Sequence, residues 1–358
     1  MAWPRSYLLK TIQSLGGAAL VGISSIGGFA QSFEQTDQGI KKPFTKLVVL
    51  GAPGEVEYGS LFQSWGNRWS EVFGPSECEW IDGTTGDEEQ SSASVDDKSR
   101  ILEFLSERSQ SSDEQSDAPK WLVLIGHGTH DASGAKFNLR GPDISADEIA
   151  KALEGDSSRW IIVNCASSSG PFHASLSGKN RVVITATKSG AEQNFARFGG
   201  YLSLAISDPA SDLDHDSSVS ILEAFLAASA SVARFYRDEG RLASEQSLLD
   251  DNGDKKGTPA SFFRGLRPAK APADGLQLDG GLAQRVIVHR LGSGPEYSLE
   301  KLASINGIED DIAKLRSNKA SLPPEEYYRE LETLLLRLAE QMFGPEPTEG
   351  KPLLGLPE

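Results

Sequence analysis

Two apolar runs constrain this chain more than any other feature: Trp121-Leu-Val-Leu-Ile-Gly-His127-Gly128 and Trp160-Ile-Ile-Val-Asn-Cys165. Neither has a polar face. Each therefore reads as a strand buried on both sides, as in a parallel sheet covered by helices. Between them, Ser145-Ala-Asp-Glu-Ile-Ala-Lys-Ala-Leu153 reads as a helix, with Ser145 as N-cap and Glu148 completing a capping box. Strand, helix and strand form a right-handed crossover unit whose strands run parallel. His127 and Cys165 then leave the sheet at one carboxyl edge, where open α/β folds carry their sites.

The rest of the pattern extends this unit. Lys46–Gly51, Cys78–Ile81 and Arg181–Thr187 read as further core strands, and Gln284–His289 as a final edge strand. Helical spacing of apolar residues predicts helices over 59–73, 98–107, 195–206 and 219–240, with 243–249 extending the last. Residues 255–281 read as a surface excursion rich in Pro, Gly and Lys. Residues 298–317 and 324–342, parted by Leu322-Pro-Pro324, read as an αα-hairpin. Leu302, Ile305, Ile308, Ile312 and Leu315 face Leu331, Leu334, Leu335, Leu338 and Met342 across it.

The net charge of −16 argues against a nucleic-acid partner, which needs clustered Lys and Arg. Arg5 and Lys10 precede an apolar, Gly-rich stretch ending in Gly28-Phe29-Ala30, which reads as an export signal removed from the mature chain; the alternative is an N-terminal anchor, for which the stretch is short. No later segment is long enough to span a bilayer. The two cysteines, Cys78 and Cys165, make no disulfide framework. Cys78 reads as an ordinary residue.

A histidine and a cysteine at one sheet edge suit acyl transfer, with a nucleophile and a general acid and base. The amides of Gly128 and Cys165 are the expected oxyanion donors. Ala166-Ser-Ser-Ser-Gly170 leaves room for a substrate backbone. Ile125-Gly-His127-Gly128, Val163-Asn-Cys165 and Val183-Ile-Thr-Ala-Thr187 together resemble the motifs of the caspase–legumain clan of cysteine peptidases, in its legumain-like branch, over roughly residues 46–240. The resemblance implies a catalytic dyad of His127 and Cys165, with Gly128 as oxyanion glycine. It implies a substrate loop at Ser189-Gly-Ala-Glu192-Gln-Asn194, in which Ser189 and Glu192 are the expected substrate-binding residues. The loop Gly51–Tyr58 lacks the Asn that orients the histidine in legumain-type enzymes and the nearby Arg of their specificity pocket, so asparaginyl specificity is not expected. His127-Gly-Thr-His130 also matches the histidine block of subtilisin-like serine peptidases. The chain has no Gly-Thr-Ser block to accompany it, because Gly257-Thr258 is followed by Pro259.

Asp212-Leu-Asp214-His-Asp216-Ser-Ser218-Val-Ser-Ile-Leu-Glu223 follows the twelve-residue EF-hand spacing, with acids at positions 1, 3, 5 and 12. Asp212, Asp214, Asp216, Glu223 and the carbonyl of Ser218 are the expected ligands of a structural calcium ion. Ser217 stands where such loops carry Gly, and the alternative is a helix start decorated with acids. Asp250-Asp-Asn252-Gly-Asp254-Lys-Lys-Gly257 has alternating ligand spacing without a closing acid and reads as a solvated turn.

The expected organisation is a signal peptide (1–30), a flexible linker (31–45), a caspase-like domain (46–290), a helical hairpin (291–345) and a disordered tail (346–358). That domain is a three-layer α/β sandwich with a mostly parallel central sheet. The expected function is an exported cysteine endopeptidase acting on a protein or peptide substrate with no catalytic cofactor. The alternative is a catalytically inactive, calcium-stabilised interaction protein on the same fold.

Overall fold

Strands without a polar face demand cover on both sides, and the chain supplies it with helices. The computed structural model describes residues 44–84, 95–110, 118–269, 279–292 and 298–344. The expected signal peptide, nearly all of the linker, and the tail lie outside them. Along the chain come β1 (Lys46–Leu50), α1 (Val56–Phe73), β2 (Glu79–Asp82), α2 (Asp97–Gln110) and β3 (Lys120–Ile125). An antiparallel insert follows: β4 (Gly128–Asp131), β5 (Gly134–Phe137) and β6 (Ile144–Ser145). Next are α3 (Ala146–Ala152), β7 (Trp160–Asn164), α4 (Phe172–Leu176), β8 (Arg181–Thr185) and α5 (Phe198–Ala205). The remainder comprises β9 (Ser218–Ser220), α6 (Ile221–Asp238), β10 (Leu248–Asp250), β11 (Thr258–Pro259), β12 (Phe263–Arg264), β13 (Arg267–Pro268), β14 (Ile287–Arg290), α7 (Leu299–Ser317) and α8 (Pro324–Phe343).

The central sheet has seven strands in the order β11-β10-β8-β7-β3-β1-β2. The five from β2 to β8 are parallel, and β10 and β11 add antiparallel to one flank. Side chains alternate between the faces along each strand. Trp121, Val123, Ile125, Ile161, Val163 and Ile184 pack on the side that holds Phe62, Trp65 and Trp69 of α1, Phe198 of α5 and Phe225 of α6. Leu122, Leu124, Trp160, Ile162 and Val183 pack on the other side, with Phe104 of α2, Ile149 of α3 and Phe172 of α4. The chain is thus an α/β protein with a mostly parallel central sheet between helices.

The capping box at Ser145 and Glu148 forms as expected. Two other expectations fail. Residues 243–249 do not extend α6: the helix ends at Asp238, Gly240 takes φ 61°, and the chain returns as β10 beside β8. Near Gln284–His289 the strand is β14, which pairs with β9 and not with the central sheet. The hairpin of α7 and α8 forms with Ile305, Ile308, Ile312 and Leu315 buried, but Leu335 faces outward at 45% exposure. Among the described residues no helix is long and apolar enough to cross a membrane.

His173 on α4 is buried against Thr185 of β8, with Nε2 2.9 Å from the hydroxyl. Burial lowers its pKa to about 4, from 6.5. Folding therefore favours the neutral ring. Its contribution is complete above pH 6.5 and is lost as pH falls through 6.5 to 4, by up to about 3 kcal/mol. Urea unfolding between pH 7 and 4 should show a slope with pH that flattens in His173→Gln. Equal slopes would show that this histidine does not set the acid limit.

Candidate functional site

The carboxyl rim is built by strand parity. β3 buries Trp121, Val123 and Ile125 under α1, and His127 is the next residue of that series. Its ring stands among Tyr58, Phe62 and Phe195, with centroids 4.8, 5.2 and 6.1 Å away. Nε2 lies 3.1 Å from the Pro53 carbonyl, which can only accept, so Nε2 carries the proton. Nδ1 is then the basic nitrogen of a neutral ring. Burial lowers the His127 pKa, which keeps the ring neutral near pH 7. Pro53 lies in the Gly51–Tyr58 loop, so a backbone carbonyl takes the orienting role for which that loop has no side chain.

Cys165 does not join this ring. It continues the series Ile161, Val163 into the core, beneath Gly199 of α5 and Trp65 of α1, and is 1% exposed. A Cβ on Gly199 would lie 2.6 Å from Cys165 Cβ and 3.1 Å from its sulfur, so the helix rests directly on the thiol. Burial pushes that thiol up to about 12, the opposite of nucleophilic activation. The expected oxyanion role of its amide also fails, because that N–H donates to the Leu124 carbonyl at 2.8 Å in the sheet ladder.

The residue that meets Gly128 is Ser167, itself buried at 4% exposure. Val123 pairs with Val163 in the ladder, and carrying that register forward sets Ile125 beside Cys165 and His127 beside Ser167. The Ser167 hydroxyl donates to the Gly128 carbonyl at 3.2 Å, and the Gly128 amide approaches the same oxygen at 3.4 Å. A Cβ on Gly128 would lie 2.3 Å from the Ser167 carbonyl, so this approach requires glycine. Ser168 then takes φ 55°, a left-handed conformation uncommon for a side-chain-bearing residue. Its amide donates to Glu192 and its hydroxyl to Gly190, which holds the elbow in place.

Ser189 and Glu192 lie in the loop tied to that elbow. The Glu192 carboxylate accepts the amides of Lys188 and Gln246 at 3.0 and 3.1 Å. It holds its own loop together, which accounts for the acid without a substrate cation. A Cβ on Gly190 would lie 2.3 Å from the ring of His130, so the loop and the antiparallel insert meet beside the rim.

The Asp212, Asp214 and Asp216 carboxylates converge, with one oxygen from each within 4.8 Å of the others. Ser217 takes φ 68°, the conformation for which such loops use Gly. Partial burial, then the charges of Asp216 and Glu223, push Asp214 up to about 6. Glu223 accepts the Leu213 amide through Oε1 and the Ser220 amide and hydroxyl through Oε2, so it caps α6, and the convergent carboxylates are the three aspartates without the expected closing acid. Ser218 donates its amide and hydroxyl to Asp216. Oxygen donors at this spacing suit a hard divalent cation.

No protein-family model matches the sequence, and no curated protein matches it significantly. No motif marks Pro53, Ser167 or Phe195: the register that sets Ser167 level with His127 is a property of the sheet, and a backbone acceptor such as the Pro53 carbonyl leaves no mark on the residue type.

Proposed function

We propose that this chain is a caspase-like, calcium-stabilised protein that engages a peptide or protein segment at its sheet rim without cysteine-based cleavage. The observation that carries this reading is the sealed thiol of Cys165 beneath Gly199 and Trp65. Cysteine-peptidase chemistry needs an accessible thiolate, and neither condition is met. The half-buried rings of Tyr58 and Phe195 beside His127 give the rim an aromatic lining for such a segment. The clan resemblance supports the fold assignment, and the leader-like residues 1–30 support export.

A second reading is favoured by His127, whose orientation and neutral state suit a general base. In it, a movement that uncovers Ser167, which is 4% exposed here, lets it release the Gly128 carbonyl, give its proton to Nδ1 and attack a scissile carbonyl. The Gly128 amide holds the oxyanion, and the imidazolium protonates the leaving amine. Water then releases the acyl group from Ser167.

Two covalent probes separate these readings. An acyloxymethyl-ketone peptide should leave Cys165 unlabelled, with wild type and Cys165→Ala indistinguishable. A fluorophosphonate should label Ser167 no more than Ser167→Ala. Peptides selected from a display library should bind at least about tenfold more weakly to Tyr58→Ala, the loss of a buried aromatic contact. Labelled Cys165 would restore the thiol peptidase, and labelled Ser167 would establish the second reading.

A further inference from the structure

The Asp250–Gly257 loop is not the solvated turn its composition suggests. Asp250 is 1% exposed, Asp251 9%, and Asp279, which reaches the loop from a distant segment, 3%. Two of these acids are fully engaged. Asp251 accepts the amides of Gly280, Leu282 and Ala283. Asp279 accepts those of Asp251 and Asn252 and the Thr258 hydroxyl. Asp250 differs. Its Oδ1 accepts the Gly253 amide at 3.1 Å, which folds the carboxylate over its own loop. Its Oδ2 is buried with no donor in hydrogen-bonding geometry. The Ser177 hydroxyl, which accepts the Lys255 amide, lies beside the same carboxylate. An orphan carboxylate oxygen in the interior calls for a cation.

The loop has the backbone of the Asp212 loop. Positions 4 and 6 take left-handed φ in both: His215 at 61° and Ser217 at 68°, Gly253 at 80° and Lys255 at 67°. In both, the position 5 amide donates to the side chain at position 3, and the position 7 amide to the side chain at position 5. We propose that Asp250, Asn252 and Asp254, with the Lys256 carbonyl, form a second calcium-type cation site. The orphan Oδ2 is the first ligand, and side-chain oxygens at positions 3 and 5 follow the alternating rule of such loops. Two carboxylates without a closing acid make it the weaker type, with a dissociation constant on the order of 10⁻⁴–10⁻³ M. The ion fastens this loop where the Lys255 amide meets the Ser177 hydroxyl, at the amino edge of the sheet and away from the rim.

Calorimetric titration of chelator-stripped full-length protein with calcium chloride tests this. Wild type should bind two ions, Asp254→Ala one, and the double variant Asp212→Asn/Asp214→Asn one. Wild type binding one ion that Asp254→Ala loses would support this site even with the Asp212 loop empty. Unchanged stoichiometry in Asp254→Ala, or no binding in the double variant, would overturn it. Hydrogen exchange on wild type covers the case of a variant that does not fold. Peptides spanning 250–257 should slow with calcium, and unaltered exchange there would also overturn the site.

Discussion

Replacing Glu245 with alanine is expected to remove about 3 kcal/mol of folding stability, because it strands three donors in the interior. Glu245 is 5% exposed and lies in the segment between α6 and β10. Its carboxylate accepts the Arg197 amide at 2.8 Å, the Phe198 amide at 3.0 Å and the Tyr236 hydroxyl at 3.0 Å. The two amides open α5, so the acid satisfies orphan groups of a helix start from a remote part of the chain. Gly199, which presses on Cys165, follows directly, and Phe195, which borders His127, lies just before. Loss of the acid therefore loosens the rim together with the core. Glu245→Gln keeps one acceptor oxygen and should fall between wild type and Glu245→Ala in urea unfolding. A change below about 1 kcal/mol for alanine would mean that water replaces the carboxylate.

Chelation is expected to lower the melting temperature by about 5 °C or more. Free calcium about a hundredfold above its dissociation constant stabilises a folded protein by ~2.7 kcal/mol, and each kcal/mol moves the melting point of a sizeable domain by about 2–4 °C. The cause lies in the Asp212, Asp214 and Asp216 carboxylates, whose mutual repulsion the ion offsets. Asp212→Asn/Asp214→Asn should melt with a smaller calcium response than wild type. Identical melting curves with and without chelator would remove the metal from this account.

The parallel sheet was legible because its signal is local: runs such as Trp121–Ile125 and Trp160–Asn164 have no polar face to expose. The capping box at Ser145 was legible for the same reason. The place of Cys165 was not. Apolar runs do not reveal their own register: the sheet pairs Trp121 with Ile161 and not with Trp160. Carried forward, that pairing sets Cys165 beside Ile125, still on the core side, and puts His127 level with Ser167 two residues further on. The burial of Asp250 and Asp251 was hidden because segment 279–283 supplies much of the cover. The Pro53 carbonyl was hidden because a backbone acceptor leaves no mark on the residue type. Residues 243–249 looked helical beside α6, yet Leu248 pairs with Thr185 across the sheet.

Strand β11, at one edge of the central sheet, has a consequence for how these molecules meet at high concentration. It is two residues long and one of them is Pro259, which carries no amide hydrogen. An unprotected strand margin is a template on which identical chains can stack into fibrils. Here the template is cut short and lacks a donor, so growth from that flank is discouraged by covalent structure alone.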